Sequence, residues 1–233
     1  MILIGHVLGT DASHLCEAHD GHRLEVRTFN AFQSMQRAAQ IDKIDINIAS
    51  GFRDFTRQLL IWNNKWQGLR PLYSANGKLL DPAKLTPEEK LHAILTWSAL
   101  PGGSRHHWGT DLDVYDRPRV EQTGQKLQLV PAEYAENGPC FALNQWLDRF
   151  AADFGFYRPY QQYTGGVSAE PWHLSFQPVA EQMQNAMSCD ALNDCLLRQD
   201  IEGKEVVLNQ LPTIYHRYIL NQGTLTERDN FTR

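Results

Sequence analysis

Nothing in the 233-residue sequence approaches the run of about 20 apolar residues that a bilayer-spanning helix needs, so no membrane span is expected. Cysteine is scarce: Cys16, Cys140, Cys189 and Cys195 are the whole set, and only the last two stand near each other. They are too few and too scattered for a disulfide framework, so free thiols are expected, with a Cys189–Cys195 bridge as the alternative. An excess of basic charge is also missing. Lys and Arg number 22 against 27 Asp and Glu, a formal net charge of −5, which removes the electrostatic footprint of a nucleic-acid binder. The N-terminal Met1-Ile-Leu-Ile has neither a basic region nor a small-residue cleavage site beside it. No export signal is read there, and the expected location is the cytoplasm, with periplasmic or lysis-released action as alternatives. Repeats and low-complexity segments are absent as well.

What is present is the composition of a soluble globular chain, 42% hydrophobic and 21% charged, long enough to bury a core. Asn30 can cap a helix over 31–40. Ile44-Asp-Ile-Asn-Ile48 alternates as a half-buried strand does, and Ser50-Gly51 ends it. From Asp54, the apolar positions Phe55, Leu59, Trp62 and Trp66 recur at helical spacing. Residues 68–85 read as a loop. Thr86-Pro-Glu-Glu89 is a helix start, with the helix running to Leu100 before Pro101-Gly102-Gly103. Asp111–Tyr115 alternates as a strand, 117–137 reads as a loop insertion, 139–153 as a helix and His173–Phe176 as a strand. From 178 onward the pattern is helical, interrupted at Pro212. Helices and strands mix without a βαβ rhythm, so the expected class is α+β.

Two segments carry chemistry. In Ser104-Arg-His106-His107-Trp-Gly109-Thr-Asp111-Leu-Asp113, a histidine in a glycine-bearing loop precedes a strand. Asp111, Asp113 and Tyr115 share one strand face, with Leu112 and Val114 on the other. Two carboxylates beside a histidine can grip a divalent cation; a solvated strand face is the plainer alternative. In Glu170-Pro-Trp172-His173, the proline favours a turn that brings Glu170 and His173 toward one point. Imidazole, carboxylate and imidazole make a three-ligand zinc set with one position open. A nearby carboxylate outside that set is what metal-assisted hydrolysis needs as general base, although a Trp-His pair in core packing is the bland reading.

Together these segments resemble the superfamily of lysostaphin, D-Ala-D-Ala metallopeptidases and hedgehog, and most closely its vancomycin-resistance D,D-carboxypeptidase branch. Ser50-Gly51-Phe52-Arg53, followed by Gln58, is similar to a third element of that branch, in the same order along residues 30–176. The resemblance implies a small, mostly antiparallel sheet carrying the site in residues 1–176, flanked by helices, with 177–233 a helical extension packed on the same domain. It implies zinc on His106, Asp113 and His173. It further implies that Glu170 moves the proton of the zinc-bound water and that Arg53 stabilises the oxyanion. Ser104, Gln58 and Trp172 would line the site or touch substrate. The expected partner is a peptide or muropeptide carrying D-amino acids. Carboxypeptidase action leads, with endopeptidase action or a non-catalytic zinc-bearing module as alternatives; Glu170 and Arg53 favour an enzyme, and oligomeric state stays open.

Asp111 departs from the branch, which commonly has a small apolar residue there. It would either contact a substrate amine or orient a zinc-bound imidazole. His107 competes with His106 as ligand, although the motif favours His106. His14, Cys16, His19 and His22, with Asp20 among them, could form a rival metal site but read better as an exposed polar loop. His92 and His216 read as structural. The apolar positions of the extension are expected to complete the core, with a cap over the cleft or a dimer contact as alternatives.

Overall fold

Short stretches of alternating residues specify the sheet, and helices supply most of what covers it. The computed structural model describes residues 1–223, so 224–233 of the expected C-terminal extension lie outside the described residues. In chain order, α1 (Ile4–Leu8) precedes a hairpin of β1 (Leu15–Glu17) and β2 (Arg23–Glu25). Then come α2 (Val26–Ile41), β3 (Ile46–Ser50) and α3 (Phe55–Trp66). A two-residue hairpin, β4 (Leu72–Tyr73) and β5 (Leu79–Leu80), leads to α4 (Pro87–Leu95) and β6 (Asp111–Asp116). The segment after β6 holds α5 (Arg117–Gln122) and α6 (Pro131–Tyr134), followed by α7 (Phe141–Phe150), β7 (Phe156–Tyr157) and β8 (His173–Phe176). Four helices close the order: α8 (Gln177–Ala186), α9 (Cys189–Leu197), α10 (Lys204–Asn209) and α11 (Leu211–Ile214), the last continued by a π-helical turn over Tyr215–Ile219. No helix of the described residues is long and apolar enough to cross a membrane.

The main sheet runs β3-β6-β8-β7 with every neighbour antiparallel, the α+β architecture expected. Leu112, Val114, Leu174 and Phe176 are buried on one face, joining Ile46, Ile48 and the α2 residues Phe32 and Met35 in the core. The opposite face of β6 and β8 carries polar side chains that are also buried.

Several boundaries differ from expectation, each for a local reason. Helix α2 starts directly at the end of β2, where the Glu25 carboxylate accepts from the Thr28 N–H at 2.9 Å; Asn30 lies inside the helix and is not its cap. Strand β3 begins at Ile46 and includes Ser50, because a bulge between Ile48 and Ser50 shifts its register against β6. Helix α4 stops at Leu95, where the Thr96 hydroxyl bonds back to the His92 carbonyl at 2.8 Å, a competition that weakens threonine in helices. The reciprocal Thr86–Glu89 cap at its start is as the sequence predicts, and α3 is capped by the Asp54 side chain. Cys189 and Cys195 are free thiols on α9.

Residues 177–223 pack against the rest of the chain with Leu192, Leu196, Val207, Leu211 and Ile214 buried. Trp62 donates its indole N–H to the Glu202 carbonyl at 3.0 Å, and Gly203 follows in the left-handed region at φ 67°. A Cβ on Gly203 would stand 2.3 Å from the Trp66 ring, whereas a Cβ on Gly77, at φ 77°, meets nothing within 4 Å. Gly77→Ala therefore carries only backbone strain of about 1–2 kcal/mol, and Gly203→Ala adds an overpacking cost of about 1–3 kcal/mol. Calorimetry should show a Tm drop for Gly203→Ala about twice that of Gly77→Ala or more. Equal drops would mean that the Trp66 contact does not hold the extension in place.

Candidate metal centre

The pairing of β6 with β8 sets Asp113 directly opposite His173 and Asp111 opposite Ser175, all on one face. Asp113 Oδ1 lies 3.2 Å from His173 Nδ1. His106 arrives from a 3-10 turn over Arg105–Trp108, and its Nε2 lies 3.4 Å from Asp113 Oδ2. That turn ends at Gly109 in the left-handed region, φ 70°, where a Cβ would stand 2.3 Å from the Leu15 side chain and 2.9 Å from the Glu25 nitrogen. The glycine of the motif is thus required both by conformation and by space. Two backbone links lock the turn to the chain after β3. His106 Nδ1 donates to the Gly51 carbonyl at 2.9 Å, and the Arg53 N–H donates to the His106 carbonyl at 3.1 Å.

These contacts decide which ring nitrogens are free. A carbonyl only accepts, so His106 carries its proton on Nδ1 and presents a lone pair at Nε2. His173 Nε2 donates to Asp111 Oδ1 at 2.9 Å, which leaves the lone pair of Nδ1 facing Asp113. Asp113 Oδ1 and His173 Nδ1 are buried and make no hydrogen bond. Ligand atoms of His106, Asp113 and His173 lie within 4.8 Å of one another, and no other such group converges among the described residues. Ligands at about 2.0–2.1 Å on a tetrahedral ion stand about 3.3 Å apart. The observed separations of 3.2 and 3.4 Å match that edge, so these residues fit a zinc-sized cation. Burial would raise the Asp113 carboxyl, but without a metal the charge of the two imidazoles in their protonated forms outweighs it and holds it well below the usual range, as an anion; a cation bound between the lone pairs would take over that part.

For Asp111 the structure corrects the expected substrate contact and favours the other alternative, orienting an imidazole. Asp111 is fully buried, does not line the cavity, and makes no contact available to a substrate amine. Its carboxylate accepts from Arg105 Nε at 2.8 Å, Thr110 Oγ1 at 2.7 Å and Ser175 Oγ at 3.1 Å, besides His173. Arg105, which the sequence reading passed over, spends its remaining nitrogens on the Tyr157 hydroxyl and Ser175 Oγ, each at 2.7 Å, and on Gln184 Oε1 at 3.0 Å. An Arg and an Asp at variable positions of one motif were the available signal. The network holds the His173 ring in one orientation with Nδ1 outward.

Gln58 is a second correction: it is fully buried and absent from the cavity wall. Its Oε1 accepts from Arg53 Nη1 at 2.8 Å while its Nε2 donates to the Ala99 carbonyl at 2.7 Å, so it braces the arginine. Arg53 Nη2 also donates to Ser50 Oγ at 3.1 Å. His107 is no rival ligand. Its Nδ1 donates to the Arg53 carbonyl at 2.6 Å, its Nε2 accepts from the Gly102 N–H at 3.0 Å, and burial pushes its pKa down to about 4. His14 and Cys16 lie in or beside the β1–β2 hairpin, where His14 stacks on His6 at 4.3 Å between ring centroids.

A cavity of about 560 Å³ opens over the three potential ligands and is also walled by Arg53, Ser104, Glu170 and Trp172. A turn joins the His173 N–H to the Glu170 carbonyl at 3.1 Å and brings Glu170 Oε2 to 3.4 Å from His173 Nδ1. Tyr160, edge-on to His173 at 4.9 Å, and Tyr218 and Ile219 of the π-helical turn complete the wall. Those last two come from the extension, which therefore contributes to the cavity as well as to the core.

Comparison with known proteins agrees with this geometry. A family model described as VanY, D-alanyl-D-alanine carboxypeptidase, matches residues 21–179, more than half of the chain. A D-alanyl-D-alanine carboxypeptidase of Enterococcus faecalis is 29% identical over 160 residues, covering 67% of this chain and 49% of that relative, so the match spans about half of its length. Among solved structures, VanYB in complex with D-alanine-D-alanine superposes with a TM-score of 0.51 at 24% identity, over 82% of this chain and 91% of that one. A vancomycin-resistance D,D-pentapeptidase VanY variant in complex with Zn(II) gives 0.50 at 24% identity, over 76% of this chain and 93% of that one.

If the Asp111 carboxylate aims His173, Asp111→Asn should weaken zinc binding about 10–100-fold while the variant stays folded by circular dichroism. Competition against a chromogenic chelator measures this. Wild-type affinity in the variant would show that ring orientation is set by packing alone.

Proposed function

Since the chain belongs to the D-alanyl-D-alanine carboxypeptidase family, we propose that it removes the terminal residue from short peptides ending in D-amino acids, D-Ala-D-Ala foremost. It is a zinc-dependent peptidase of that type. The observation carrying this reading is the buried set His106, Asp113 and His173, with Glu170 3.4 Å from the free nitrogen of His173 in the same cavity as Arg53. The relatives bound to D-alanine-D-alanine and to Zn(II) support the substrate class and the metal.

His106 Nε2, Asp113 and His173 Nδ1 would hold the zinc, which when bound would supply Lewis-acid chemistry, polarising a carbonyl and lowering the pKa of water. Glu170 accepts a proton from the attacking water at Oε2 and returns it to the nitrogen of the leaving amine as the C–N bond breaks. Arg53 donates from its guanidinium to the oxygen of the scissile carbonyl, where negative charge grows in the transition state. Burial pulls the pKa of that guanidinium down, an effect opposed by Asp113 and Glu170, and an arginine remains charged through the working range. Gln58 and Ser50 hold the guanidinium still, so its orientation is prepared before substrate arrives. Ser104 and Trp172 wall the cavity around the peptide. Catalysis is favoured over a purely binding role because both the base and the oxyanion donor face the ion site.

Glu170→Ala should retain zinc yet lose hydrolysis of acetyl-D-Ala-D-Ala about 10²–10⁴-fold, the usual worth of general-base catalysis. Mass spectrometry of released D-alanine and metal analysis of the same sample decide it. Wild-type turnover would remove Glu170 from its role. Arg53→Ala should lower kcat about 10²–10³-fold with a smaller change in KM; a loss confined to KM would make it a substrate clamp.

A further inference from the structure

The inward face of α3 reads Phe55, Gln58, Trp62, Lys65, spaced three, four and three residues apart, which places all four on one helical stripe. The first three are buried, and the fourth is a lysine that lines the cavity. A lysine on the buried stripe of a helix needs a reason, since ammonium groups are costly to take out of water. Two other cations line the same cavity, and each is already engaged: Arg105 with Asp111, Tyr157, Ser175 and Gln184, and Arg53 with Gln58 and Ser50. Among the described residues, Lys65 has no hydrogen-bond or ion-pair partner of its own.

We propose that Lys65 is the anchor for the free carboxylate of the peptide's terminal residue, and so the residue that selects an exopeptidase substrate cut one residue from its end. This deepens the carboxypeptidase reading and rests on it. The spacing supports a one-residue cut. The end of Arg53 is held at the level of Gln58, and Lys65 lies two helical turns further on, about 10.5 Å along the axis. From a scissile carbonyl oxygen to the carboxylate of the next residue is about one extended residue, roughly 3.5 Å. With a charge-assisted hydrogen bond of about 2.8 Å at each end, the span is roughly 9 Å. A carboxylate on the terminal residue therefore reaches Lys65 while Arg53 serves the carbonyl.

The electrostatics agree. Burial, with Arg70 and Arg53 nearby, pushes the lysine down to about 8 against the opposing pull of Glu170. An incoming carboxylate would relieve that charge. Glu170 itself faces His173 at 3.4 Å and is not within ion-pair distance of the ammonium.

The test compares acetyl-D-Ala-D-Ala with its C-terminal amide. Binding is measured by calorimetry on zinc-loaded Glu170→Ala protein with and without Lys65→Met, and turnover on the otherwise wild-type chain. Carrying Lys65, the protein should favour the acid over the amide at least tenfold in both Kd and kcat/KM; Lys65→Met should bring that ratio near one, mainly through KM. Lys65→Arg, which keeps the charge, should restore part of the preference and controls for folding. An unchanged acid-to-amide ratio in Lys65→Met overturns the anchor, as does an equal loss on both peptides. If the wild-type chain cleaves neither peptide yet binds the acid more tightly through Lys65, the hydrolytic reading falls and the anchor stands. If both are cleaved with a ratio indifferent to Lys65, the anchor falls and the hydrolytic reading stands.

Discussion

The register between β6 and β8 is the constraint on which the site depends. Asp113 opposite His173 and Asp111 opposite Ser175 follow from one antiparallel alignment, with Leu112 opposite Leu174 between them on the other face. A slip of a single residue would turn every one of these side chains through the sheet. What prevents the slip is the apolar face: Leu112, Val114 and Leu174 are wholly buried, and exposing them would forfeit about 1.5–3 kcal/mol each. The core is therefore what aims the carboxylates. The bulge in β3 adds a second adjustment at the neighbouring edge, placing Ser50 and Gly51 where one bonds Arg53 and the other His106.

Burying so many ionisable groups in one place is costly, and the arrangement offsets that cost by pairing. Asp111 and Arg105 neutralise each other with every guanidinium nitrogen and both carboxylate oxygens hydrogen-bonded, the condition under which a buried ion pair is tolerated. Asp113 differs, since it keeps an oxygen without a hydrogen bond beside a nitrogen in the same condition. The contrast separates the two aspartates by chemistry: one is spent on holding a ring, the other is left for a cation.

Much of this was legible in the residues and some was not. The shared face of Asp111 and Asp113, the turn at Pro171, the apolar stripe of α3 and the α4 cap are local, and local chemistry displays them in sequence. The choice between the two roles open to Asp111, orienting an imidazole or meeting a substrate amine, was not legible, because its partners His173 and Ser175 lie 62 and 64 residues away, and only strand pairing brings them near. Gln58 read as a substrate contact for the same reason: its partner carbonyl at Ala99 is 41 residues distant. The β1–β2 and β4–β5 hairpins went unseen since strands of two or three residues carry too little alternation to register. The cap of α2 was misplaced because Glu25, a strand residue as well, does two jobs at once.

The cavity draws one wall from Arg53 and another from Tyr218 and Ile219, residues that are far apart in the chain. His92 of α4 holds Tyr218, with the imidazole 3.0 Å from the hydroxyl, and Arg217 reaches the Gly165 carbonyl. A ribosome adds about 5–20 residues per second, so His173, the last of the ion-binding residues, is made a few seconds before Tyr218 and Ile219 of the enclosing wall. A nascent chain holding its cation would meanwhile present an open surface with no enclosed cavity. The wall formed by Tyr218 and Ile219 is thus added late in synthesis, after the residues that would hold the ion and after Lys65.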